Sequence, residues 1–333
     1  MPLNRPVIVV VDAAGGDFAP DQILQGISRA LVADGSVRIV VTGPAEVVEP
    51  FAAAAGSRVE ARPTTEIIAM DEHPANAVRS KKDSSIVVGA QLVRDGEADA
   101  FFSAGSTGAC MAAATLVMGR IKGVSRPAIA TVLPTTGAPC VLLDVGANAD
   151  CKPENLLQFA EMGEAYASVV LGVASPRVAL LNIGEEPTKG SMLAQEAHAL
   201  LAERLGSFVG NVEGRGVLAG VADVIVTDGF TGNVALKLLE GTSAVLLGQV
   251  KDAMTSSTVR KLAAAVLKPA LVDMKKRLDP DTYGGAPLLG VNGVCIIGHG
   301  SSGPKAVENA IRVAVQAVEG GLTARIAAAV AQN

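Results

Sequence analysis

The chain has 333 residues, of which 49% are hydrophobic and 18% are charged, a composition that excludes a disordered chain and provides material for a large core. Lys and Arg number 28 against 33 Asp and Glu, and the formal net charge of −5 argues against broad binding of nucleic acid. Aromatic residues make up 3% and Trp is absent, which argues against a base-stacking or aromatic sugar-binding surface.

Short apolar runs alternate along the chain with longer segments of helical pattern. The runs that predict strands are 7–11, 37–41, 101–102, 129–132, 141–143, 178–182, 223–226 and 294–297. The segments that predict helices are 21–33, 76–94, 109–119, 153–170, 192–205, 233–254 and 305–319. Strands that are apolar throughout are typical of parallel sheets covered on both faces. The alternation therefore predicts one three-layer α/β/α domain over residues 1–333.

The residues that follow the predicted strands are rich in Gly, Ser, Thr, Asp and Asn. Such strand ends lie at 12–17, 103–108, 144–148, 182–186, 227–233 and 299–302. Open parallel sheets bind ligands beyond the carboxyl ends of their strands, and Gly lets the main chain approach a ligand closely. One such turn would carry no information, because these residues are common in turns. Six together predict a site for phosphate or another anion.

Other motifs mainly exclude functions. The segment 298–303 matches G-x-G-x-x-G, but 320–333 is Ala-rich and helical in pattern rather than the further strand with an acidic residue that a dinucleotide site needs. We therefore expect a helix N-terminus suited to phosphate there, not a nicotinamide site. No Walker A, H-E-x-x-H or G-x-S-x-G sequence occurs. The four cysteines and three histidines lack zinc-site spacing, so we expect reduced thiols, a cytoplasmic protein and no metal.

Two segments carry a local excess of basic residues. The first, 79–85, contains Arg79, Lys81 and Lys82, and it is either a solvated helix face or a surface for an acidic partner or a phosphate. The second, 259–278, has six basic residues and one acidic residue. Pro269 predicts a break between two helices that meet at an apolar tip, in a hairpin at about 250–280.

The apolar residues of this second segment recur at helical spacing, at Leu262, Ala263, Val266 and Leu267. An amphipathic helix of this kind packs on its own domain or on a dimer partner, or rests on anionic lipid. The charge bias favours the lipid surface, because a buried dimer contact explains the apolar residues but not the excess of basic ones.

In this order, the motifs resemble those of the phosphate acyltransferase (PlsX) family of bacterial phospholipid synthesis, from residue 7 to about 328. The segments that carry the resemblance are 12–20, 77–85, 103–109, 119–127, 142–148, 227–233, 261–269, 283–286 and 299–302. Ser106 stands where the family usually has Asn, which replaces an amide by a hydroxyl in a predicted ligand loop.

The resemblance implies transfer of a long-chain acyl group from acyl carrier protein (ACP) to inorganic phosphate, which gives acyl phosphate for phospholipid synthesis. It implies no cofactor and a Rossmann-like, mostly parallel sheet of the isocitrate and isopropylmalate dehydrogenase type, with a protruding helical hairpin. It also implies a homodimer and peripheral contact with anionic membrane. The implied partner downstream is a membrane glycerol-3-phosphate acyltransferase, and no nucleic-acid partner is implied.

Phosphate attack on a thioester requires no strong base, since phosphate dianion is abundant near pH 7. The protein must align two anions with a carbonyl and stabilise an oxyanion. With the resemblance, the catalytic candidates are Lys189 as a cation, Asn233 as a donor to phosphate or the thioester oxygen, and His299 as an acid or a phosphate ligand. Lys189 also fits a solvent-facing lysine, and Asn233 a helix N-cap.

The remaining candidates form three groups. Contact with phosphate or substrate is expected from Gly15, Gly16, Ser103, Gly105, Thr107, Gly108, Arg126, Asp228, Gly229, Thr231, Gly232, Gly300, Ser301 and Ser302. Carrier docking is expected at Arg79, Lys81 and Lys82, and membrane contact at Leu262, Ala263, Val266 and Leu267. Asp12, Asp17 and Asp144 are expected to position basic side chains rather than to bind a metal.

Three alternatives remain open. The nearest is a phosphotransacetylase that acts on short acyl-CoA and shares the fold and the phosphate chemistry. The second is a nicotinamide-dependent decarboxylating dehydrogenase, which would need clustered acidic metal ligands. The third is a membrane scaffold without activity, which has no use for so many Gly, Ser, Thr and Asn residues in its loops.

Overall fold

The computed structural model describes residues 5–278 and 280–331, with side chains described except at 273–278, 280 and 281. Its strands are β1 (Ile8–Asp12), β2 (Arg38–Gly43), β3 (Val59–Pro63), β4 (Ala100–Ser103), β5 (Ala128–Leu133), β6 (Cys140–Leu143), β7 (Val178–Asn182), β8 (Phe208–Glu213), β9 (Val224–Val226), β10 (Ala286–Leu289) and β11 (Val294–Ile297).

The helices alternate with these strands for most of the chain. They are α1 (Asp21–Ala33), α2 (Ala45–Ala55), α3 (Pro74–Ser80), α4 (Ser85–Arg94), α5 (Thr107–Ala113), α6 (Pro153–Val170), α7 (Met192–Arg204), α8 (Gly229–Thr255), α9 (Thr258–Leu278), α10 (Pro304–Glu319) and α11 (Leu322–Val330). A π-helical segment, Ala114–Met118, continues α5.

The strands of the described chain form one sheet in the order β3-β2-β1-β4-β11-β10-β5-β6-β9-β7-β8. One parallel group contains β3, β2, β1, β4 and β11, and a second contains β6, β9, β7 and β8. Between them, the pairs β11–β10, β10–β5 and β5–β6 are antiparallel. Three successive reversals make the two groups run in opposite directions, so their carboxyl ends lie at opposite edges of the sheet.

Helices cover both faces of the sheet, as the α/β/α prediction requires. On β1, Val9 and Val11 join a buried cluster with residues of α1, α6, α10 and α11, whereas Val10 joins a second cluster with residues of α3, α4 and α5. Strands β4, β6, β9 and β11 are buried at every residue. Burial on both faces explains why these strands are continuous apolar runs.

The sheet is mostly parallel, as predicted, and it is mixed, because three of its strand pairs are antiparallel. Residues 134–139 connect β5 to β6, and 290–293 connect β10 to β11, which is too short for the helical crossover that parallel neighbours need. The strand ends therefore do not all lie at one edge of the sheet. The ends of β1, β4 and β11 share one edge, and those of β6, β7 and β9 share the other.

Three strands lie outside the predicted set, and two of them depart from the apolar pattern. Strands β3 and β8 are the edges of the sheet, and their sequences, VEARP and FVGNVE, carry polar residues that remain partly exposed. Strand β10 has only four residues, including a proline. An edge strand needs no continuous apolar run, because one of its sides has no neighbouring strand.

The predicted helices are found, with three differences. The segment 76–94 is two helices, α3 and α4, and α2 was not predicted. Pro269 lies inside α9, so the predicted break there is wrong. Proline removes one main-chain hydrogen bond and can kink a helix without ending it. The hairpin turns instead at Ser256 and Ser257, and the basic side chains at 275–277 lie outside the described side chains.

No single helix in the described ranges is long and apolar enough to cross a bilayer. The bent pair α10 and α11, which meet at 55°, passes that test by length and composition only. Helix α10 packs against α1 and β4, and eight of its residues are buried.

Candidate functional site

A cavity of about 600 Å³, here called the central cavity, lies between the two halves of the sheet. The predicted site residues that line it are Gly105, Thr107, Asn233, His299, Gly300, Ser301 and Ser302. The other walls are partly apolar, with Ile129, Val132, Val145 and Leu236. A concave apolar site with a few convergent polar groups is typical of small-molecule binding.

Asp12 links the ends of β1 and β4 beside this cavity. Its buried carboxylate accepts hydrogen bonds from Ser103 Oγ at 2.7 Å and from the N–H of Ala14 at 2.9 Å. Ser103 Oγ in turn accepts from the N–H of Gly105 at 3.0 Å. Burial raises the pKa of Asp12, and the hydrogen bonds oppose that rise. The expectation that Asp12 positions a basic side chain is wrong, because the carboxylate holds a hydroxyl and main-chain groups.

The loop after β1 supports two of the loops that line the central cavity. A Cβ atom at Gly15 would lie 2.6 Å from the nitrogen of Gly105, so only glycine fits between the two chains. Two residues later, the N–H of Asp17 donates to the oxygen of Gly300 at 2.7 Å. Asp17 lines the cavity, whereas Gly15 and Gly16 lie behind its lining.

His299 follows β11, and its ring is oriented by the next turn. The distance from its Nδ1 is 2.7 Å to Ser301 Oγ and 3.3 Å to the N–H of Ser301. Because Nδ1 accepts from this N–H, a neutral ring carries its proton on Nε2. Nε2 is therefore the atom that can donate to a group in the cavity.

Asp144 organises the loop after β6, on the other half of the sheet. Its carboxylate accepts from the N–H groups of Ile129 at 3.0 Å, Ala147 at 3.0 Å and Asn148 at 2.7 Å. Burial raises its pKa, and these hydrogen bonds oppose the rise. Like Asp12, Asp144 holds main-chain groups and not a basic side chain, contrary to expectation.

Helix α8 follows β9 along the chain, and its first turn packs against this loop. Asn233 in that part of the helix lines the central cavity. A side chain at Gly232 would collide with the main-chain oxygen of Asp144, so the glycine permits this close packing. The N-cap is Asp228, which accepts from the N–H and the hydroxyl of Thr231 at 2.8 and 2.7 Å. Asn233 is therefore not the N-cap but lies one turn inside the helix, over Gly146.

Several predicted site residues lie outside the lining of the central cavity. They are Gly15, Gly16, Ser103, Gly108, Arg126, Lys189, Asp228, Gly229, Thr231 and Gly232. Lys189 is exposed after β7, and its main-chain oxygen accepts from Asn182 Nδ2 at 3.0 Å. Arg126 lines a different cavity. Their roles as ligands remain predictions.

The basic run on and after α3 is partly engaged within the protein. Lys81 Nζ donates to Glu72 at 2.6 Å and to the oxygen of Ile67 at 2.7 Å. Lys82 Nζ donates to the oxygen of Val78 at 3.2 Å. The exposed side chains of Arg79 and Lys82 form no ion pair with the described residues, so their charges are not neutralised within this part of the chain.

The hairpin of α8 and α9 presents apolar side chains to solvent. Leu262 is 68% exposed, Val266 81% and Leu267 52%, and Ala263 is also exposed. Val259 extends the same side of α9, since 259, 262, 263 and 266 are spaced as one helical face.

Sequence reasoning missed several cavity residues, among them the polar residues Lys237, Glu240 and Tyr283. Lys237 lies four residues after Asn233 and thus on the same face of α8, a spacing that would have identified it. Its Nζ lies 2.8 Å from Glu240, which also lines the cavity. Tyr283 lines the cavity from beyond the hairpin, and the periodicity gives no signal for it.

The four cysteines are free thiols, as predicted. Burial raises the pKa of Cys110 to about 12, of Cys140 to about 12 and of Cys151 to about 11, so these groups remain protonated and poorly nucleophilic near neutral pH. In the described ranges, no group of three or more His, Cys, Asp and Glu side chains is placed to share a metal ion.

Comparisons with known proteins agree with the motifs. Residues 7–325 match the sequence model of the family described as "Fatty acid synthesis protein". The chain is 51% identical over 321 residues to a "Phosphate acyltransferase" of Desulfitobacterium hafniense, with 96% of each chain covered. It is 53% identical over 322 residues to a "Phosphate acyltransferase" of Heliobacterium modesticaldum, again with 96% of each covered.

Among solved structures, a phosphotransacetylase from Streptococcus pyogenes is similar in fold, with a TM-score of 0.62, 16% identity and 94% of each chain covered. A phosphotransacetylase from Staphylococcus aureus has a TM-score of 0.59 at 19% identity, again with 94% of each chain covered. Because these identities are low, the likeness concerns the fold alone. The family match and the two close relatives show that the chain belongs to the phosphate acyltransferase (PlsX) family of fatty acid synthesis proteins.

Proposed function

We propose that this protein transfers a long-chain acyl group from acyl-ACP to inorganic phosphate. The observation that carries the proposal is the convergence of Asn233, His299 and the two glycine-serine loops in one cavity that also has apolar walls. The polar donors of the lining suit an anion and a thioester carbonyl, and its apolar walls suit an acyl chain. The names of the close relatives support the same reaction.

In this reaction a phosphate oxygen attacks the thioester carbon, the carbon–sulfur bond breaks, and the thiolate leaves with the electron pair. Asn233 donates to the phosphate or to the carbonyl oxygen, whose negative charge grows during attack. His299 either donates its Nε2 proton to the departing sulfur or binds the phosphate. Donors held on buried, hydrogen-bonded loops need little reorganisation as the charge develops, which lowers the barrier.

Lys189 is the cation proposed for phosphate or for the developing charge. It is exposed on the loop after β7, where a side chain of its length is free to move. Lys237 is the cation that lines the cavity, and its pairing with Glu240 reduces its net charge. Alanine substitution of each lysine shows which of the two binds phosphate or stabilises the developing charge.

The carrier protein and the membrane are further parts of the proposal. The proposed docking surface for the acidic carrier consists of Arg79, Lys81 and Lys82. Leu262, Ala263, Val266 and Leu267 are proposed to rest on anionic lipid, and their exposure together with Arg260, Lys261 and Lys268 on the same helix supports this. There the acyl phosphate would pass to a membrane glycerol-3-phosphate acyltransferase, and the protein would work from the cytoplasm.

The chain is also proposed to act as a homodimer and to form one domain of the isocitrate and isopropylmalate dehydrogenase type. The continuous sheet that joins both halves supports a single domain. Exposed apolar residues along α8, at Phe230, Val234, Leu238, Val245 and Leu246, support burial of this helix against a second chain.

The experiment is mass-spectrometric detection of acyl phosphate from purified protein, palmitoyl-ACP and phosphate, with palmitoyl-CoA and acetyl-CoA in parallel reactions. Acyl phosphate from the carrier substrate and little from acetyl-CoA supports the proposal. Product from acetyl-CoA alone would instead favour the phosphotransacetylase alternative, which the fold also permits. Absence of product from every thioester would contradict both.

A further inference from the structure

A second cavity, of about 350 Å³, contains two arginines that the reaction as described does not use. Arg120 and Arg126, here called the arginine pair, line it together with Met111, Thr115, Pro127 and Ala147. Each guanidinium donates to one main-chain oxygen, Arg120 to Ser125 and Arg126 to Asp150. Within the described chain neither forms an ion pair, so two positive charges face this cavity with most of their N–H donors free.

The loop that carries the arginine pair is fixed on both sides. Ser125 bonds to two residues of α6, Gln158 at 2.8 Å and Asn155 at 2.7 Å. On the other side, Asn292 Nδ2 donates to the oxygen of Arg120 at 2.9 Å. The loop that carries the two charges is therefore held in place by hydrogen bonds of the surrounding chain. A loop fixed in this way is preorganised to bind an anion.

The second cavity lies end to end with the central cavity. Thr107 lines the central cavity, and Met111 and Thr115 line the second, at i, i+4 and i+8 along one helical wall. The strand opposite shows the same order, with Ile129 in the central cavity and Pro127 in the second, on one side of the chain. Helical rise puts Thr115 about 12 Å from Thr107.

We propose that the arginine pair binds the phosphate group of a phosphopantetheine arm while the thioester at the end of that arm lies in the central cavity. This inference rests on the proposed function, in which the acyl group arrives on a carrier. About thirteen bonds separate the phosphorus of such an arm from its sulfur, roughly 15 Å when extended. That length is enough to span the roughly 12 Å between Thr107 and Thr115 along the shared wall. Paired guanidinium groups are the side chains best suited to phosphate oxygens.

The test compares two long-chain thioesters that differ only in this phosphate, acyl-4′-phosphopantetheine and acyl-pantetheine. The ratio of their kcat/KM values is measured in the wild type and in Arg120→Gln and Arg126→Gln. Each substitution is expected to lower the ratio about ten- to hundredfold, as loss of a hydrogen bond to a charged group predicts. Lys122→Gln is the matched control, since Lys122 lies on the same loop, carries the same charge and does not line the cavity.

A second measurement does not depend on turnover. Calorimetric titration should show tighter binding of 4′-phosphopantetheine than of pantetheine, and both arginine variants should abolish this difference. This titration tests the inference even if the protein makes no acyl phosphate. A failure of the proposed function can therefore be distinguished from a failure of the inference. A ratio and a binding difference that do not change in the variants would overturn the proposal. A rise in KM for inorganic phosphate alone would overturn it as well, and would assign the arginine pair to the free substrate.

Discussion

Ser103 Oγ donates a hydrogen bond of 2.7 Å to the buried carboxylate of Asp12, which ties together the ends of two neighbouring parallel strands. The same hydroxyl accepts from the N–H of Gly105, a residue that lines the central cavity. The position of the cavity wall therefore depends on a carboxylate that does not itself line the cavity.

This arrangement predicts a pH dependence of stability. The folded-state pKa of Asp12 is raised by burial above the unfolded value of about 3.9, so its contribution to stability is largest below that value and is lost as pH rises through the folded pKa. We expect the free energy of unfolding of the wild type, minus that of Asp12→Asn, to decrease between about pH 3 and about pH 7, measured by urea denaturation. Asp17→Asn, at an exposed position, is the control. A difference that increases with pH would contradict the assignment.

Close approach of two loops at Gly15 predicts a large steric effect. A Cβ there would lie 2.6 Å from Gly105 N and 2.6 Å from Asp12 Oδ2. Gly15→Ala should therefore lower the free energy of unfolding by about 1–3 kcal/mol. Gly35→Ala is the matched control, since a Cβ at Gly35 meets nothing within 4 Å. Equal stability of the two variants in urea would show that the loops separate at little cost.

Asn233 is expected to be essential for turnover. Asn233→Ala should lower kcat about 10²–10³-fold, the usual effect of removing one donor to a developing oxyanion. Gln25→Ala is the control, because it removes a side-chain amide from an exposed position of α1 that does not line the cavity. Circular dichroism of both variants checks the fold, and near-normal turnover of Asn233→Ala would remove it from the mechanism.

The same assay assigns the cationic role to one of two lysines. We expect Lys189→Ala to lower turnover by orders of magnitude, with Glu185→Ala on the same loop as the control. Lys237→Ala is measured beside it, since Lys237 lines the cavity. A large loss in Lys237→Ala together with normal turnover of Lys189→Ala would transfer the role to Lys237.

The two roles considered for His299 respond differently to the leaving group. An acid matters most for an alkyl thiolate and little for a thiophenolate, which leaves without a proton. If His299 donates from Nε2, His299→Ala should lower kcat about 10²-fold for a carrier or alkyl thioester and much less for a thiophenyl ester. Equal losses with both esters, together with a higher KM for phosphate, would contradict the acid role and indicate a phosphate ligand.

The exposed face of α9 predicts binding to anionic vesicles. Val266→Glu and Leu262→Glu should reduce the fraction that sediments with such vesicles at least tenfold, because each removes apolar contact and adds repulsion. Val32→Glu is the matched control, since Val32 on α1 is 87% exposed and Val266 is 81% exposed. Unchanged vesicle binding, with loss of a dimer in light scattering, would show that this face packs on a second chain.

Sequence patterns predicted the three layers and all of the strands that are buried on both faces except β10, because these strands must be apolar throughout. The edge strands β3 and β8 could not be predicted from apolar runs. They contain polar residues, which an edge strand tolerates because one of its sides has no neighbouring strand. The reversal between the two halves of the sheet could not be predicted either, because it depends on two short hairpins. Lys189 follows β7 and Arg126 precedes β5, and neither lines the central cavity, although Asn233 after β9 does.

Motifs were more informative about the site than periodicity was. The loops at 103–108 and 299–302 contribute to one cavity, as predicted, together with Asn233. Residues such as Gly15, Ser103 and Gly232 share these motifs, but in the structure they hold the loops in place from behind the lining. A motif does not distinguish lining from support, because both require small residues at close-packed turns.

The most direct test of the reaction uses phosphate labelled with ¹⁸O at every oxygen. Attack of phosphate on the thioester carbon predicts that palmitoyl phosphate formed from palmitoyl-ACP carries the complete label, since no phosphorus–oxygen bond breaks. It also predicts that Asn233→Ala forms little of this product. Release of palmitate without labelled acyl phosphate, at a rate independent of phosphate, would contradict phosphate as the acyl acceptor.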